Sequence, residues 1–237
     1  VSFTTWTPLA LQSSARRWQG HVWRVVDAQY TAGAMKLVDS RGEQDVLEAL
    51  LERSKPALLH GTDGLDYLLA TPFRYAPKQY GSRFRAPTDP GVFYGAESVA
   101  VAGAELGYWR WRFLVDAVAL ERMEPVAHTA FRVEVATSVV DLRRPPFAAD
   151  AAVWEHKTDY APTQQFARVA REACVGGILN RSVRAPNPAW CLALLTPAGF
   201  AQPAPHAEQQ TWFMAVSRHE VTLRRDTASM QFSAVGW

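Results

Sequence analysis

Several stretches of the chain alternate apolar with polar residues, the pattern of a strand that has one buried face. The clearest runs from Met123 to Leu142, where Phe131, Val133 and Val135 alternate with charged or small residues. Shorter apolar runs bounded by turn residues predict further strands at residues 21–26, 92–94, 177–184 (leading into a polar turn), 190–195, 211–216, 220–224 and 229–235.

Other stretches carry apolar residues at the spacing of an amphipathic helix. From Gln44 to Arg53, such positions are Val46, Leu47, Leu50 and Leu51. Further helices are predicted from about Ser98 and over Thr62–Leu69, Ala149–Trp154 and Pro162–Cys174. Strand-rich ends around a few helices indicate an α+β fold with a mixed or antiparallel sheet and flanking helices.

Length and composition are those of one globular domain. The chain has 237 residues, of which 48% are hydrophobic and 20% charged. We predict a single domain over residues 1–237, with a polar, irregular N-terminal extension (1–19) and a C-terminal strand extension (217–237). The net charge of +2 gives no argument for nucleic-acid binding.

The sequence contains no motif typical of targeting or of metal binding. The N-terminus does not resemble a secretory signal, and the longest uncharged stretch, residues 185–207, contains five prolines and cannot form a membrane helix. Cys174 and Cys191 form no CxxC pair, so we expect two buried free thiols in the reducing cytoplasm. The six histidines show neither HxH nor HExxH spacing, and no metal site is predicted.

The helix from Ser98 carries the most informative charge. It has no charged residue until Glu105, whose helical neighbours at three and four residues' distance include no basic side chain. An unpaired carboxylate is costly to bury. Glu105 therefore either lies on a solvent-facing strip of the helix or points into a pocket that water or a ligand reaches.

Four other polar residues are candidates for the same pocket. Arg24 lies within an apolar strand, so that it faces either solvent or a site. Arg83 lies in a segment that contains several glycines and prolines. Tyr94 ends a short predicted strand, and Ser182 lies where a predicted strand leads into a turn. Tyr94 could instead be a core residue, and Ser182 an ordinary turn serine.

The order of several motifs resembles the RES domain, a family named for its Arg, Glu and Ser. The motifs are WRVV, GSRF, VFYGAES, AELGYW, GILNRSVR and AWCLALL, and they extend from about residue 23 to residue 216. The segment between the first two motifs is longer here than the family pattern. The resemblance identifies the signature residues as Arg83, Glu105 and Ser182, with Tyr94 as the strand tyrosine and Arg24 as the basic residue of the first strand.

The resemblance also implies a function. RES proteins look like ADP-ribosyltransferase-type folds that consume NAD, and they typically act as toxins neutralised by a helix-turn-helix-type antitoxin. By this resemblance Arg83, Glu105 and Ser182 are catalytic, and Arg24, Arg83, Tyr94 and Ser182 bind NAD. NAD would be a substrate rather than a permanently bound cofactor. Nucleic acid would be contacted only through the antitoxin.

The residue types suit that chemistry. A guanidinium group binds phosphate oxygens bidentately, which fits the pyrophosphate of NAD. A carboxylate such as Glu105 can stabilise the oxocarbenium-like state in which the ribose–nicotinamide bond breaks. Tyr94 could stack on the nicotinamide ring. We expect an antitoxin segment to enter the mouth formed by Arg83, Tyr94 and Ser182.

The sequence does not distinguish NAD hydrolysis or phosphorolysis from two alternative functions. The same fold could transfer ADP-ribose to a protein side chain. The chain could also be a non-enzymatic binding module lined by aromatic residues, for which nine tryptophans would be well suited. Neither GxGxxG nor GxxxxGK[ST] occurs, so no Rossmann or P-loop site is predicted.

Overall fold

The computed structural model describes residues 5–28, 40–54, 61–75 and 81–237. Within these residues eight strands form one mixed sheet, and the predicted α+β class is confirmed. The strands are β1 (Arg16–Asp27), β2 (Phe93–Ala96), β3 (Arg122–Asp141), β4 (Gly177–Arg181), β5 (Trp190–Leu194), β6 (Gln210–Ser217), β7 (Glu220–Arg225) and β8 (Ala228–Ser233).

Five of the strands close into a ring. The sheet order is β1-β2-β5-β4-β3-β6-β7-β8, and β1 also pairs with β3. The long strand β3 makes this possible, because β1 lies along one of its edges while β6 and β4 share the other. Only the β3–β4 pairing is parallel among the described strands. Buried side chains such as Phe93, Phe131 and Leu192 fill the ring.

Six helices flank this sheet in the described part of the chain. They are α1 (Pro8–Ser14), α2 (Arg41–Ser54), α3 (Tyr67–Arg74), α4 (Val99–Asp116), α5 (Ala151–Trp154) and α6 (Ala161–Glu172). Short 3-10 turns cover Phe147–Asp150 and Pro197–Gly199. None of the described helices combines the length and the apolar character needed to cross a bilayer.

Two predictions about local structure were wrong. Residues 5–19 are not irregular: Thr7 caps α1 through a bond from Ala10 N, and Leu11 is fully buried. Leu11 docks this short helix together with the flanking Trp6 and Ala15, which pack against the same core cluster, and the periodicity of so short a helix could not show that. Helix α3 begins at Tyr67 rather than at residue 62, because Asp66 caps it, and it continues through Pro72.

Helix α4 is seated on the sheet by two glycines. A Cβ atom on Gly103 would lie 3.1 Å from Leu223, and one on Gly107 would lie 3.0 Å from Val221, so the helix backbone approaches β7 closely. Two residues along a helix correspond to a rotation of about 200°. Glu105 consequently points away from β7, on the opposite side of the helix from the two glycines.

Candidate active site

A cavity of about 210 Å³ lies where α4, β1, β2 and the polar turns after β4 and before β2 meet. The lining is largely aromatic or small and includes four charged side chains: Arg24, Arg83, Glu105 and Arg184. Pockets that enclose a drug-sized ligand usually measure about 300–1,000 Å³. A ligand as large as a dinucleotide would therefore extend beyond the cavity.

Glu105 lies in this cavity and not on a solvent-facing strip, which answers the question that the sequence left open. Ser98 caps α4 by accepting a bond from Val101 N, so the helix begins where predicted. The Ser182 hydroxyl donates to Glu105 Oε1 at 2.6 Å. This short bond fixes one carboxylate oxygen, while no such bond from a described residue holds the other.

Ser182 contacts Glu105 and does not itself line the cavity. It follows β4 directly, and its Oγ accepts bonds from Arg184 N (3.3 Å) and Ala185 N (3.1 Å). These bonds orient the hydroxyl hydrogen toward the carboxylate. Ser182 is absent from the cavity lining, whereas Arg83 and Glu105, the other two residues assigned to the signature, both line it.

Arg83 is held on a tight turn before β2. Ser82 N donates to Arg85 O at 2.7 Å, and Arg85 N donates to Ser82 O at 3.1 Å. Arg83 Nη1 donates to the carbonyl oxygens of Trp154 and His156, each at 2.8 Å. Both Nη1 hydrogens are thereby used, and burial lowers the pKa of the guanidinium while the charge of Glu105 opposes this shift.

Arg24 and Tyr94 form the floor of the site. Arg24 points into the cavity, its Nη1 donates to Tyr94 O at 2.8 Å, and its guanidinium lies 4.9 Å over the Phe93 ring. Burial lowers its pKa to about 10, and its Nε is buried with no hydrogen-bond partner among the described residues. A buried donor of this kind is usually satisfied by a partner, water or ligand.

The Tyr94 hydroxyl is committed to the turn that carries Arg83. It shares a 2.7 Å hydrogen bond with Ser82 Oγ and accepts one from Phe84 N at 3.0 Å. Burial raises the pKa of this phenol. The ring lines the cavity, so Tyr94 holds the turn through its hydroxyl and presents an apolar surface to the cavity through its ring.

Arg184 was missed as a site residue. Its guanidinium lies 3.4 Å over the Tyr108 ring, and its Nη2 donates to Tyr160 Oη at 3.2 Å and to Lys157 O. Its Nη1 is buried and has no partner among the described residues. The GILNRSVR motif contains this arginine, two residues after Ser182, and is the one signal that could have identified it.

Of the two thiols that were expected to be buried, Cys191 is buried as predicted and Cys174 is not. Cys174 is exposed; it follows α6 with a φ of 55°, the left-handed conformation that ends many helices. Cys191 is buried beside Glu105, with its Sγ 3.9 Å from Oε1. Burial, and then the charge of Glu105, raise the pKa of the Cys191 thiol well above its usual value.

The comparisons with known proteins agree with the motifs. The RES domain family matches residues 58–216, more than half of the chain, and the chain belongs to that family. The match ends where the sequence resemblance ends, but it begins at residue 58, so that the WRVV motif and Arg24 lie outside it. No curated protein matches the sequence.

Among solved structures, one chain is reported under the description "Crystal structure of the M.tuberculosis MbcT-MbcA toxin-antitoxin complex". It is 14% identical to this chain, with a TM-score of 0.47. The alignment covers 92% of this chain and 87% of that one.

Proposed function

We propose that this RES domain is a toxin enzyme that cleaves the nicotinamide–ribose bond of NAD, passing ADP-ribose to water or phosphate. The observation that carries the proposal is the charge set of the cavity: one carboxylate, Glu105, faces three arginines, Arg24, Arg83 and Arg184. Three positive charges and one negative charge leave +2. A pyrophosphate brings two negative charges and balances this set.

The free donors of the arginines support the same ligand. Arg24 Nε and Arg184 Nη1 are buried without partners among the described residues, and the Arg83 bonds to carbonyl oxygens involve Nη1 alone. Guanidinium groups bind phosphate oxygens through such donors. In this arrangement the nicotinamide riboside half occupies the cavity, and the adenosine half extends past the mouth.

The chemistry assigned to Glu105 follows from its position. When the bond between the ribose C1′ and the nicotinamide nitrogen breaks, the electron pair goes to nicotinamide and a positive charge develops on the ribose. The carboxylate stabilises that charge, and Ser182 fixes its orientation. An oxygen of water or of a phosphate anion then forms the new bond to C1′, and an attacking water gives up its proton to the solvent. Together with this reaction, we propose that the fold is of the ADP-ribosyltransferase type.

The proposed reaction and protein mono-ADP-ribosylation differ in the group that accepts ADP-ribose. The experiment is to incubate the purified chain with NAD in phosphate-free and phosphate-containing buffers and to identify the products by mass spectrometry. Free ADP-ribose indicates hydrolysis, and ADP-ribose 1″-phosphate indicates phosphorolysis. In each of these reactions nicotinamide is released. Added mass on the chain itself or on proteins of a cell extract, without free ADP-ribose or its phosphate, indicates the mono-ADP-ribosyltransferase instead.

Binding and consumption of NAD, measured together, separate the enzyme from the aromatic-lined module. Phe84, Tyr94, Tyr108, Trp109 and Tyr160 line the cavity, which is also what a binding module would present. A ligand that binds only the folded state raises Tm. We expect millimolar NAD to raise Tm and to be consumed. A rise without consumption, retained after prolonged incubation, would favour the binding module.

The proposal includes a cognate antitoxin of the helix-turn-helix type, because a chain that destroys a central cofactor must be restrained in its own cell. The basic cavity mouth suits a carboxylate or chain terminus of that partner. Its binding should compete with NAD and weaken with added salt. If the purified complex binds NAD with unchanged affinity, the partner does not occlude the cavity.

A further inference from the structure

Three side chains on separate segments meet outside the NAD cavity. They are His21 in β1, Glu134 in β3 and His206 in the loop before β6, and one ligand atom from each lies within 4.8 Å of the others. None of the three lines the cavity that contains Glu105. Two imidazoles and a carboxylate are a donor set that divalent transition metals prefer in proteins.

Backbone pairing brings this cluster together. His21 and Glu134 are directly opposite each other in the antiparallel β1–β3 ladder. On the other edge of β3, Ala201 N donates to Glu134 O at 3.0 Å, and His206 N donates to Arg132 O at 2.9 Å. The loop therefore lies against β3 like a further strand, and the three side chains are held by main-chain bonds on both sides of Glu134.

The distances are close to those of a metal site. His206 Nε2 lies 3.5 Å and His21 Nδ1 4.0 Å from Glu134 Oε1. Ligand atoms about 2.0–2.2 Å from a tetrahedral zinc ion are about 3.3–3.6 Å apart. Small rotations of the side chains would close the difference, and the exposed side chain of His21 is free to make them.

The surroundings of the cluster also favour a cation. His206 Nε2 is buried and has no hydrogen-bond partner among the described residues, because its contact with Glu134 does not have hydrogen-bond geometry. Arg132, two residues before Glu134, is directed to the Trp23 ring, with its guanidinium carbon 5.9 Å from the ring centroid. The ion-pair contacts of Glu134 within the described residues are with the two histidines only.

We infer that His21, Glu134 and His206 form a site for a divalent transition-metal ion of the zinc class. Three protein ligands leave a fourth position for water on the exposed side of His21. A bound ion ties the 200–206 segment to both β1 and β3, so it stabilises the closure of the sheet. Magnesium should not replace it, since that ion prefers oxygen ligands.

The test uses the full chain without an affinity tag. Zinc titrated into the metal-free protein, followed calorimetrically, should bind with one ion per chain and raise Tm. His206→Ala and His21→Ala should each weaken binding at least tenfold, and Glu134→Gln should weaken it while keeping an oxygen ligand. His219→Ala is the matched control, because His219 is an exposed histidine on the β6–β7 turn, outside the cluster.

Each outcome decides the matter. Equal zinc affinity in His206→Ala and in the unaltered chain would overturn the assignment, as would equal loss in His219→Ala. Failure of the unaltered chain to bind zinc stoichiometrically would show that the cluster is only a pair of histidine–carboxylate contacts. Circular dichroism spectra of the metal-free variants exclude unfolding as the cause of lost binding.

Discussion

Replacing Glu105 with glutamine tests the centre of the proposed mechanism with little change in shape. The Ser182 hydroxyl, 2.6 Å from Oε1, can donate to an amide oxygen as it does to the carboxylate. The two bonds that Ser182 Oγ accepts from the following turn do not involve Glu105. The substitution therefore removes the negative charge from the cavity and leaves the local hydrogen bonds in place.

The expected effects on stability and on catalysis differ in size. A neutral hydrogen bond replaces a charge-assisted one, which costs about 1 kcal/mol of folding free energy. For a chain of this length, that lowers Tm by about 2–4 °C. Removing a preorganised group that stabilises transition-state charge typically lowers kcat by about 10²–10³-fold. The loss of NAD cleavage should thus far exceed the loss of stability.

The assay is NAD consumption with product detection by mass spectrometry, run beside a thermal melt of the same sample. Asp116→Asn is the matched control. Asp116 lies at the exposed C-terminal end of the same helix, where its carboxylate forms a 3.1 Å ion pair with Arg112. This variant should cleave NAD at the rate of the unaltered chain. If Glu105→Gln keeps more than about a tenth of the rate, the charge-stabilising role assigned to Glu105 is wrong.

Three further predictions concern other parts of the molecule. Arg83→Lys should fold but weaken NAD binding in a calorimetric titration, because one ammonium group cannot bond the loop carbonyls and bind phosphate bidentately; equal affinity would place the pyrophosphate elsewhere. Gly95→Ala should lower the free energy of unfolding by about 1–3 kcal/mol, since its Cβ would lie 2.5 Å from Val22 Cγ2; an unchanged denaturation midpoint would contradict this close approach. Ellman's reagent should react quickly with Cys174 and slowly with Cys191, whose pKa is raised by burial; two fast thiols would mean that the cavity wall opens.

Local structure was readable from the chain because its causes are local. The alternation around Phe131 predicted β3 to within a residue or two of its ends, and the uncharged run after Ser98 predicted α4. The helix predicted over residues 44–53 was also confirmed, although Val46 and Leu50 are exposed on it. The motif order likewise led to the RES family, since a motif needs only its own residues and their sequence to be recognised.

Placement of the side chains was decided by the tertiary structure. Whether Arg24 faced solvent or a site could not follow from its strand, because either face of a half-buried strand is compatible with the same alternation. The β1–β3 pairing joins residues more than a hundred positions apart, and it turns Arg24 toward Glu105. Arg184 enters the cavity because its turn is held to Ser182, a contact that no periodicity reveals.

The histidine cluster shows the same limit most plainly. Spacing along the chain detects metal ligands only when they share a helix or a hairpin, as in HExxH. His21, Glu134 and His206 come from two strands and a loop, and the sheet register alone makes them neighbours. The sequence thus determined most of the elements, though not helix α1, and the family to which the chain belongs. Which charges meet was decided by long-range pairing, because register depends on packing across the whole sheet.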